Sequence, residues 1–296
     1  MTALITENTE PPKSLWSKIV NAFRGAPLIP VFIIFVFIIV GLFGEFIAPY
    51  DPTEAEFSAA MRPPFFQEGG SLEFPLGTDN LGRDQLSRLL VGTRISLQVG
   101  FSVVFISGIM GCAIALLAGF LGGWVDMVLG RMTDTMLSLP PLMIAIVIAA
   151  ILGPSKENMI LILIILGWPG YARILRGEVL RLKDNNFVQL AVTAGSSNLR
   201  IMLVHIFPNI INSLVVLATL QLGIIIIAES SLSFLGVGVP PPEPAWGTMV
   251  AEGRRYIGQA WWLITWPGVA ILLVVLSCNM VGDWLRVRLD PKFRQI

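Results

Sequence analysis

The chain has 296 residues, 54% of them hydrophobic and only 14% charged, with 20 basic and 20 acidic side chains. Soluble domains carry roughly 25% charged residues. The deficit, with a mean hydropathy of +0.75, excludes an ordinary soluble fold and puts the chain in a bilayer. A formal net charge of zero leaves no nucleic-acid footprint. Cys112 and Cys278 both lie inside apolar runs, which argues against a disulfide framework, and no metal-ligand spacing is present.

The predicted elements follow in chain order. Residues 1–26 form a polar leader with Lys13, Lys18 and Arg24, read as a cytosolic tail. The apolar run Leu28–Ala48 ends in "GEFIAPY", which lacks a small-residue cleavage pattern. It is read as a retained transmembrane helix, residues 27–48. Residues 49–94 read as a long outer loop with an amphipathic segment, and residues 95–296 as the core domain.

About 20 apolar residues cross a bilayer. After the first helix, five more segments qualify: Ile95–Phe120, Met136–Leu152, Met159–Leu175, Ile210–Phe234 and Ala260–Leu285. The reading is thus an all-α integral membrane protein of about six transmembrane helices with both termini on one side. Basic residues place that side in the cytosol, because Arg131, Arg173, Arg176, Arg181, Lys183, Arg200, Arg286, Arg288, Lys292 and Arg294 join the leader there. Arg88 and Arg94, near the outer end of the second segment, run against the rule.

Gly111, Ala115 and Gly119 recur every four residues and predict close helix packing, with Gly123 extending the stripe. Pro169 predicts a kink in the fourth segment. Trp261 and Trp262 suit an outer aromatic belt and Trp284 an inner one. Arg131 and Asp134 share a helix face and are expected to pair.

Between the fourth and fifth spans, residues 184–208, lies a stretch of different character. Asn186 and Gln189 have capping-box spacing. Phe187, Leu190, Ala191 and Ala194 then share one helical face, and Gly195 stops the helix. Ser196, Ser197 and Asn198 can cap a second helix, with Leu199, Met202, Leu203 and Ile206 on one face and Pro208 closing it. The first helix is too short to be stable alone in water. Something must hold it: the membrane interface, the rest of the chain, or a partner.

"QLAVTAGSSNLRIMLVHIFPN" resembles the EAA loop of permease subunits in bacterial ABC importers. That pattern runs Glu-Ala-Ala, three residues, Gly, nine residues, Ile, any, Leu-Pro. Ala191, Gly195 and Pro208 fall in register, whereas Gln189, Leu190, His205 and Phe207 depart from it. "PLGTDNLGRDQLSRLLVGTRISL", "ESSLSFLGVGVPPPEPAWGTMV" and the ending "WPGVAILLVVLSCNMVGDWLRVRLDPKF" are similar to the C-type permease of dipeptide and oligopeptide importers. The resemblance implies the type I importer permease fold, with a cytosolic coupling helix and a large outer loop after the first helix. It also implies a home in the bacterial cytoplasmic membrane.

Its implied partners are a homologous B-type permease, one or two cytosolic ATPase subunits that carry the ATP and Mg, membrane lipid, and a peptide-binding protein that is periplasmic or lipid-anchored. On this reading Phe187, Gln189, Leu190, Ala191, Ala194, Gly195, Ser196, Leu199 and Pro208 dock the ATPase. The chain itself has no phosphate-binding G-x-x-x-x-G-K-[ST] loop.

Ionisable groups within a span are costly, so Asp134 and Glu229 should face protein or water. Glu229, Ser230, Ser233, Gln221 and Asp134 are candidates for the translocation pathway. Trp246, in the outer loop 235–259, is a candidate contact for the binding protein. His205, the only histidine, reads as a surface or cap residue with no catalytic cluster around it. Two other classes compete: a self-contained carrier driven by an ion gradient, and a membrane enzyme or assembly factor. No internal repeat supports the carrier. Within the importer family, nickel complexes or haem are alternative cargoes.

Overall fold

The computed structural model describes residues 25–289. The expectations for residues 1–24, Lys292 and Arg294 fall outside that range. Among the described residues nine helices carry the fold: α1 Leu28–Ile47, α2 Gln85–Leu121, α3 Gly123–Ser138, α4 Pro141–Leu152, α5 Lys156–Lys183, α6 Asn186–Thr193, α7 Asn198–Phe234, α8 Trp246–Gly253 and α9 Trp262–Leu289. Five of them, α1, α2, α5, α7 and α9, are long and apolar enough to cross a membrane.

The sixth predicted span is different. Met136–Leu152 is not one straight helix, because α3 and α4 meet at a bend of 91°. The cause is local. Leu139 precedes a proline and is extended (φ −96°, ψ 142°), as steric conflict with the proline ring requires. Pro141 then occupies the first turn of α4, where its missing N–H costs nothing. The second span also begins earlier than Ile95, at Gln85, so the preceding loop ends at Asp84. The Asp84 carboxylate accepts hydrogen bonds from the Ser87 amide (2.8 Å) and hydroxyl (2.6 Å), a capped start that fixes the helix origin.

The largest helix interface joins α2 to α5. A Cβ at Gly111 would stand 2.5 Å from Tyr171 Cβ and 2.7 Å from the Trp168 carbonyl oxygen, and one at Gly119 would stand 2.8 Å from Val179 Cγ1. Ala115 between them is fully buried. Lipid tails are as apolar as leucine, so close approach rather than water exclusion holds such helices together. Gly123 is not part of the stripe. It lies past the end of α2, at positive φ, with open space around it. Pro169 is accommodated inside α5, which remains helical from Lys156 to Lys183.

Residues 49–84 pack as a compact cap at one end of the bundle. Trp262 and Trp266 at the start of α9 donate their indole N–H groups to the Thr78 and Leu76 carbonyls, at 3.0 and 3.1 Å. Trp262 is buried beneath the cap, so it serves to pin the loop and not as part of a lipid-facing belt.

Gly111→Ala is expected to destabilise the chain by about 1–3 kcal/mol through overpacking against α5. Gly177→Ala, where the added carbon meets open space, should be neutral or mildly stabilising. Thermal unfolding in detergent separates the two; equal melting temperatures would contradict the packing account.

Candidate functional site

The helical hairpin at one end of the bundle is built in three steps. Helix α6 starts at Asn186, with Asn185 at the cap. The expected capping box is not formed: the Gln189 side chain instead donates to the Lys183 carbonyl at 3.1 Å, tying α6 back to the end of α5. At the other end Gly195 takes φ +77°. Its N–H donates to the Val192 carbonyl (2.9 Å) and that of Ser196 to the Ala191 carbonyl (3.1 Å). This pair of bonds is the glycine-dependent helix stop that satisfies orphan carbonyls. Ser197 then accepts from the Arg200 amide and opens α7.

Pro208 does not close the second helix. Helix α7 continues through it to Phe234. Residues Ile201–Ile206 are π-helical, and the Phe207 N–H bonds to the Met202 carbonyl five residues back. A proline in regular α register lacks one bond and crowds the carbonyl four residues earlier. The wider turn just before Pro208 relieves that conflict. The hairpin is therefore continuous with a spanning helix.

The two faces of α6 differ sharply. Val188 (0% exposed) and Ala191 (9%) enter a core with Ala115, Phe120, Leu175, Val179 and Ile206. Leu190 is 69% exposed, and Phe187, Val192 and Leu199 stand out with it. Gln189, Ala194 and Pro208 are exposed and Ser196 is half-buried. The sequence placed Ala191 on the same face as Leu190; the structure divides them, Ala191 toward its own chain and Leu190 away from it.

Near this end, Asp134 pairs with Arg173 at 2.9 Å and not with Arg131. The α3–α5 pairing brings in a cation from a helix distant in sequence, which spacing along one helix cannot reveal. Arg176 makes a second bridge to Asp126, with Nη2 donating to Oδ2 at 2.6 Å. These pairs line a cavity of about 210 Å³ among α2, α3 and α5 that also includes Arg131.

At the opposite end, Arg83 and Arg88 are shared between Asp79 and Glu252. Arg83 Nε donates to Asp79 Oδ2 (2.6 Å) and its Nη2 to Glu252 Oε2 (3.0 Å); Arg88 Nη2 donates to the same Glu252 oxygen at 2.7 Å. Arg88 is almost wholly buried. This cluster ties the cap to α8 and explains why Arg88 breaks the charge rule: it is neutralised inside the protein. Arg94 pairs with Glu45 of α1. The only sequence clue was cations where few were expected; their partner Glu252 lies too far along the chain to be inferred.

Two further expectations change. Trp246 is 0% exposed, so it cannot present its side chain to a binding protein. Its indole N–H donates to the Leu89 carbonyl (3.3 Å) and its ring meets Phe37 edge-on at 5.5 Å. Glu229 is likewise 0% exposed. It accepts from Ser233 (2.9 Å), Ser230 (3.3 Å) and Ser96 (3.5 Å), and Ser96 in turn accepts from the Trp246 amide at 3.3 Å. In this conformation it is a knot joining α7, α2 and α8 and lines no open channel. Gln221 is half-buried on α7, facing Gly170 of α5.

The geometry thus defines a multi-span helical membrane component with a short amphipathic helix braced at one end and a packed cap at the other. The family described as "Binding-protein-dependent transport system inner membrane component" matches residues 111–295, and the chain belongs to it. Within that family it is similar to permeases of dipeptide and related transport systems. It is 42% identical over 286 residues to the di/tripeptide transport system permease protein DppC of Pseudomonas aeruginosa, covering 96% of this chain and 93% of that one. It is 44% identical over 272 residues to DppC of Escherichia coli K12, covering 92% and 90%. The glutathione transport system permease protein GsiD of an Escherichia coli O6 strain is 39% identical over 281 residues, covering 94% and 91%. Among solved structures, an inward-facing form of the MetNI methionine ABC transporter aligns with a TM-score of 0.57 at 17% identity, covering 68% of this chain and 95% of that one. That likeness is one of fold, the type I importer permease. The chain is an inner-membrane transporter subunit, a class that works with ATPase and binding-protein partners.

Removing one member of a buried ion cluster costs about 3–5 kcal/mol. Glu252→Ala should therefore lower the melting temperature markedly and expose residues 49–84 to protease. Glu229→Gln, which keeps an acceptor for the serines, should leave both readouts near wild type. Protease resistance retained in Glu252→Ala would contradict the role given to the cluster.

Proposed function

We propose that this chain is the C-type half of a bacterial peptide importer, driven through its α6 hairpin by a separate ATPase. The observation that carries the reading is the division of α6 into a braced face and an open one. Val188 and Ala191 fix the helix to α2, α5 and α7, while Phe187, Leu190 and Leu199 offer an apolar surface to a groove on another protein. Because the hairpin runs without a break into α7, a push on α6 is delivered to a spanning helix. ATP and Mg act on the ATPase subunits, and the force reaches this chain mechanically.

On this reading the hairpin end faces the cytosol, with both chain termini, and the cap faces outward toward a peptide-binding protein. A homologous B-type permease completes the pathway, and one or two ATPase subunits supply the motor. Peptide cargo is supported by the relatives, whose transport names run from dipeptide and di/tripeptide to glutathione. In place of the usual acid of the EAA pattern, Gln189 braces α6 through Lys183, so docking rests on apolar contact and less on charge.

Leu190→Asp alters only the open face. It should leave chain stability within about 0.5 kcal/mol and weaken ATPase co-purification by about 2 kcal/mol, the scale of an interface hot spot, with ATP-dependent uptake lost in proportion. Gly195→Pro removes the amide that stops α6 and should abolish uptake with membrane insertion intact. Uptake retained in either variant, with a stably assembled complex, would sink the proposal, as would uptake by the purified chain alone.

A further inference from the structure

At the capped end, the loop after α7 and the end of α8 enclose a cleft of about 580 Å³. Its walls include Asn80 of the cap, the turn Gly236–Pro241 and the helical turn Arg254–Tyr256. The volume lies within the about 300–1,000 Å³ typical of small-molecule sites. Two guanidinium groups, Arg254 and Arg255, stand exposed at its edge. Neither has an acidic partner among the described residues. The acid that lines the cleft, Glu252, is committed to Arg83 and Arg88 at 3.0 and 2.7 Å, and so leaves their charge uncompensated.

Arg254 is also held in place. Its guanidinium carbon stands 4.9 Å from the centre of the Phe234 ring, at the end of α7. Stacking on an aromatic face leaves the edge of the guanidinium, with its N–H groups, free to bind a planar anion in two parallel hydrogen bonds. A concave wall with two uncompensated cations, one of them pre-oriented, fits a small carboxylate that enters the cleft. It fits a flat protein surface less well.

We propose that this cleft is a cargo subsite in which Arg254 and Arg255 hold the terminal carboxylate of a small peptide. The inference rests on the importer reading above, which sets the cargo class and places the cleft on the outer side. The peptide body then lies along the glycine- and proline-rich turn 236–241, against Phe234 and beside the end of the α7 span. Release follows when α7 shifts, because Phe234, the ring that orients Arg254, belongs to that helix.

The test uses the full complex in proteoliposomes with the double variant Arg254→Gln/Arg255→Gln, which alters two exposed side chains outside the packed core. Three quantities are read: affinity for the binding protein loaded with a dipeptide, ATP hydrolysis stimulated by it, and dipeptide delivered per ATP. The expected result is unchanged affinity, retained hydrolysis, and delivery per ATP reduced about tenfold, the scale of one lost charge-assisted contact, with substantial recovery in Arg254→Lys/Arg255→Lys. Loss of binding-protein affinity would overturn the inference and assign the arginines to protein docking. Unchanged delivery would overturn it as well. A wild-type complex without ATP-dependent uptake would overturn the importer reading and this inference with it.

Discussion

Close approach between α2 and α5 is the constraint on which the rest of the molecule depends. In lipid, helices gain little by hiding apolar surface, so contact must come from dense packing along small residues. Gly111, Ala115 and Gly119 allow Tyr171, Ala172 and Val179 to sit against the α2 backbone. That contact fixes Leu175 and Val179, which form the floor on which Val188 and Ala191 of the hairpin rest. A bulkier stripe would move α5 outward and leave α6 without its seat. The short helix, marginal by itself in water, is held because the packed α2–α5 pair gives its apolar face a seat.

The same logic governs the other end by different means. The principal buried charges there are brought into the protein together with partners. Arg83, Arg88, Asp79 and Glu252 neutralise one another, and Glu229 is wrapped by three serines. Each set joins segments distant in sequence: the cap to α8, and α7 to α2 and α8. The cap is thus fastened to the helices that lead from the hairpin. One end of α7 continues from the amphipathic hairpin and the other carries Phe234 at the cleft, so a single helix connects the proposed docking surface to the proposed cargo subsite.

Much of this was legible in the sequence, and the failures follow a pattern. Hydrophobic runs mark the spans, the small-residue stripe marks a face for close packing without naming its partner α5, and Gly195 marks the hairpin turn, because each is a local property of contiguous residues. The right-angle break at Leu139–Pro140 is invisible to hydropathy, because the apolar run continues across it and hydropathy does not register a backbone bend. Pro208 reads as a stop in the sequence; the π-helical turn that accommodates it depends on the bonding register before the proline. Long-range partners were the larger loss. Spacing along one helix points Asp134 to Arg131, whereas Arg173 on α5 binds it. The loop position of Trp246 suggests an outward side chain, but its ring is packed against Phe37. Periodicity groups Ala191 with Leu190, because it defines a stripe without saying which half a neighbouring helix covers.

The central claim is that the hairpin and α7 move as one body under load. Spin labels on α6 at Val192 and on α7 at Val215, both exposed, would test it by pulsed electron–electron distance measurement in the assembled complex. Cys112 and Cys278 are buried and free, which favours labelling at the introduced sites. The account predicts the same 192–215 distance in the nucleotide-free and ATP-trapped states, while distances from Val192 to the partner permease change. A shift in the 192–215 distance between those states would show the hairpin moving independently of the span, and would contradict the account.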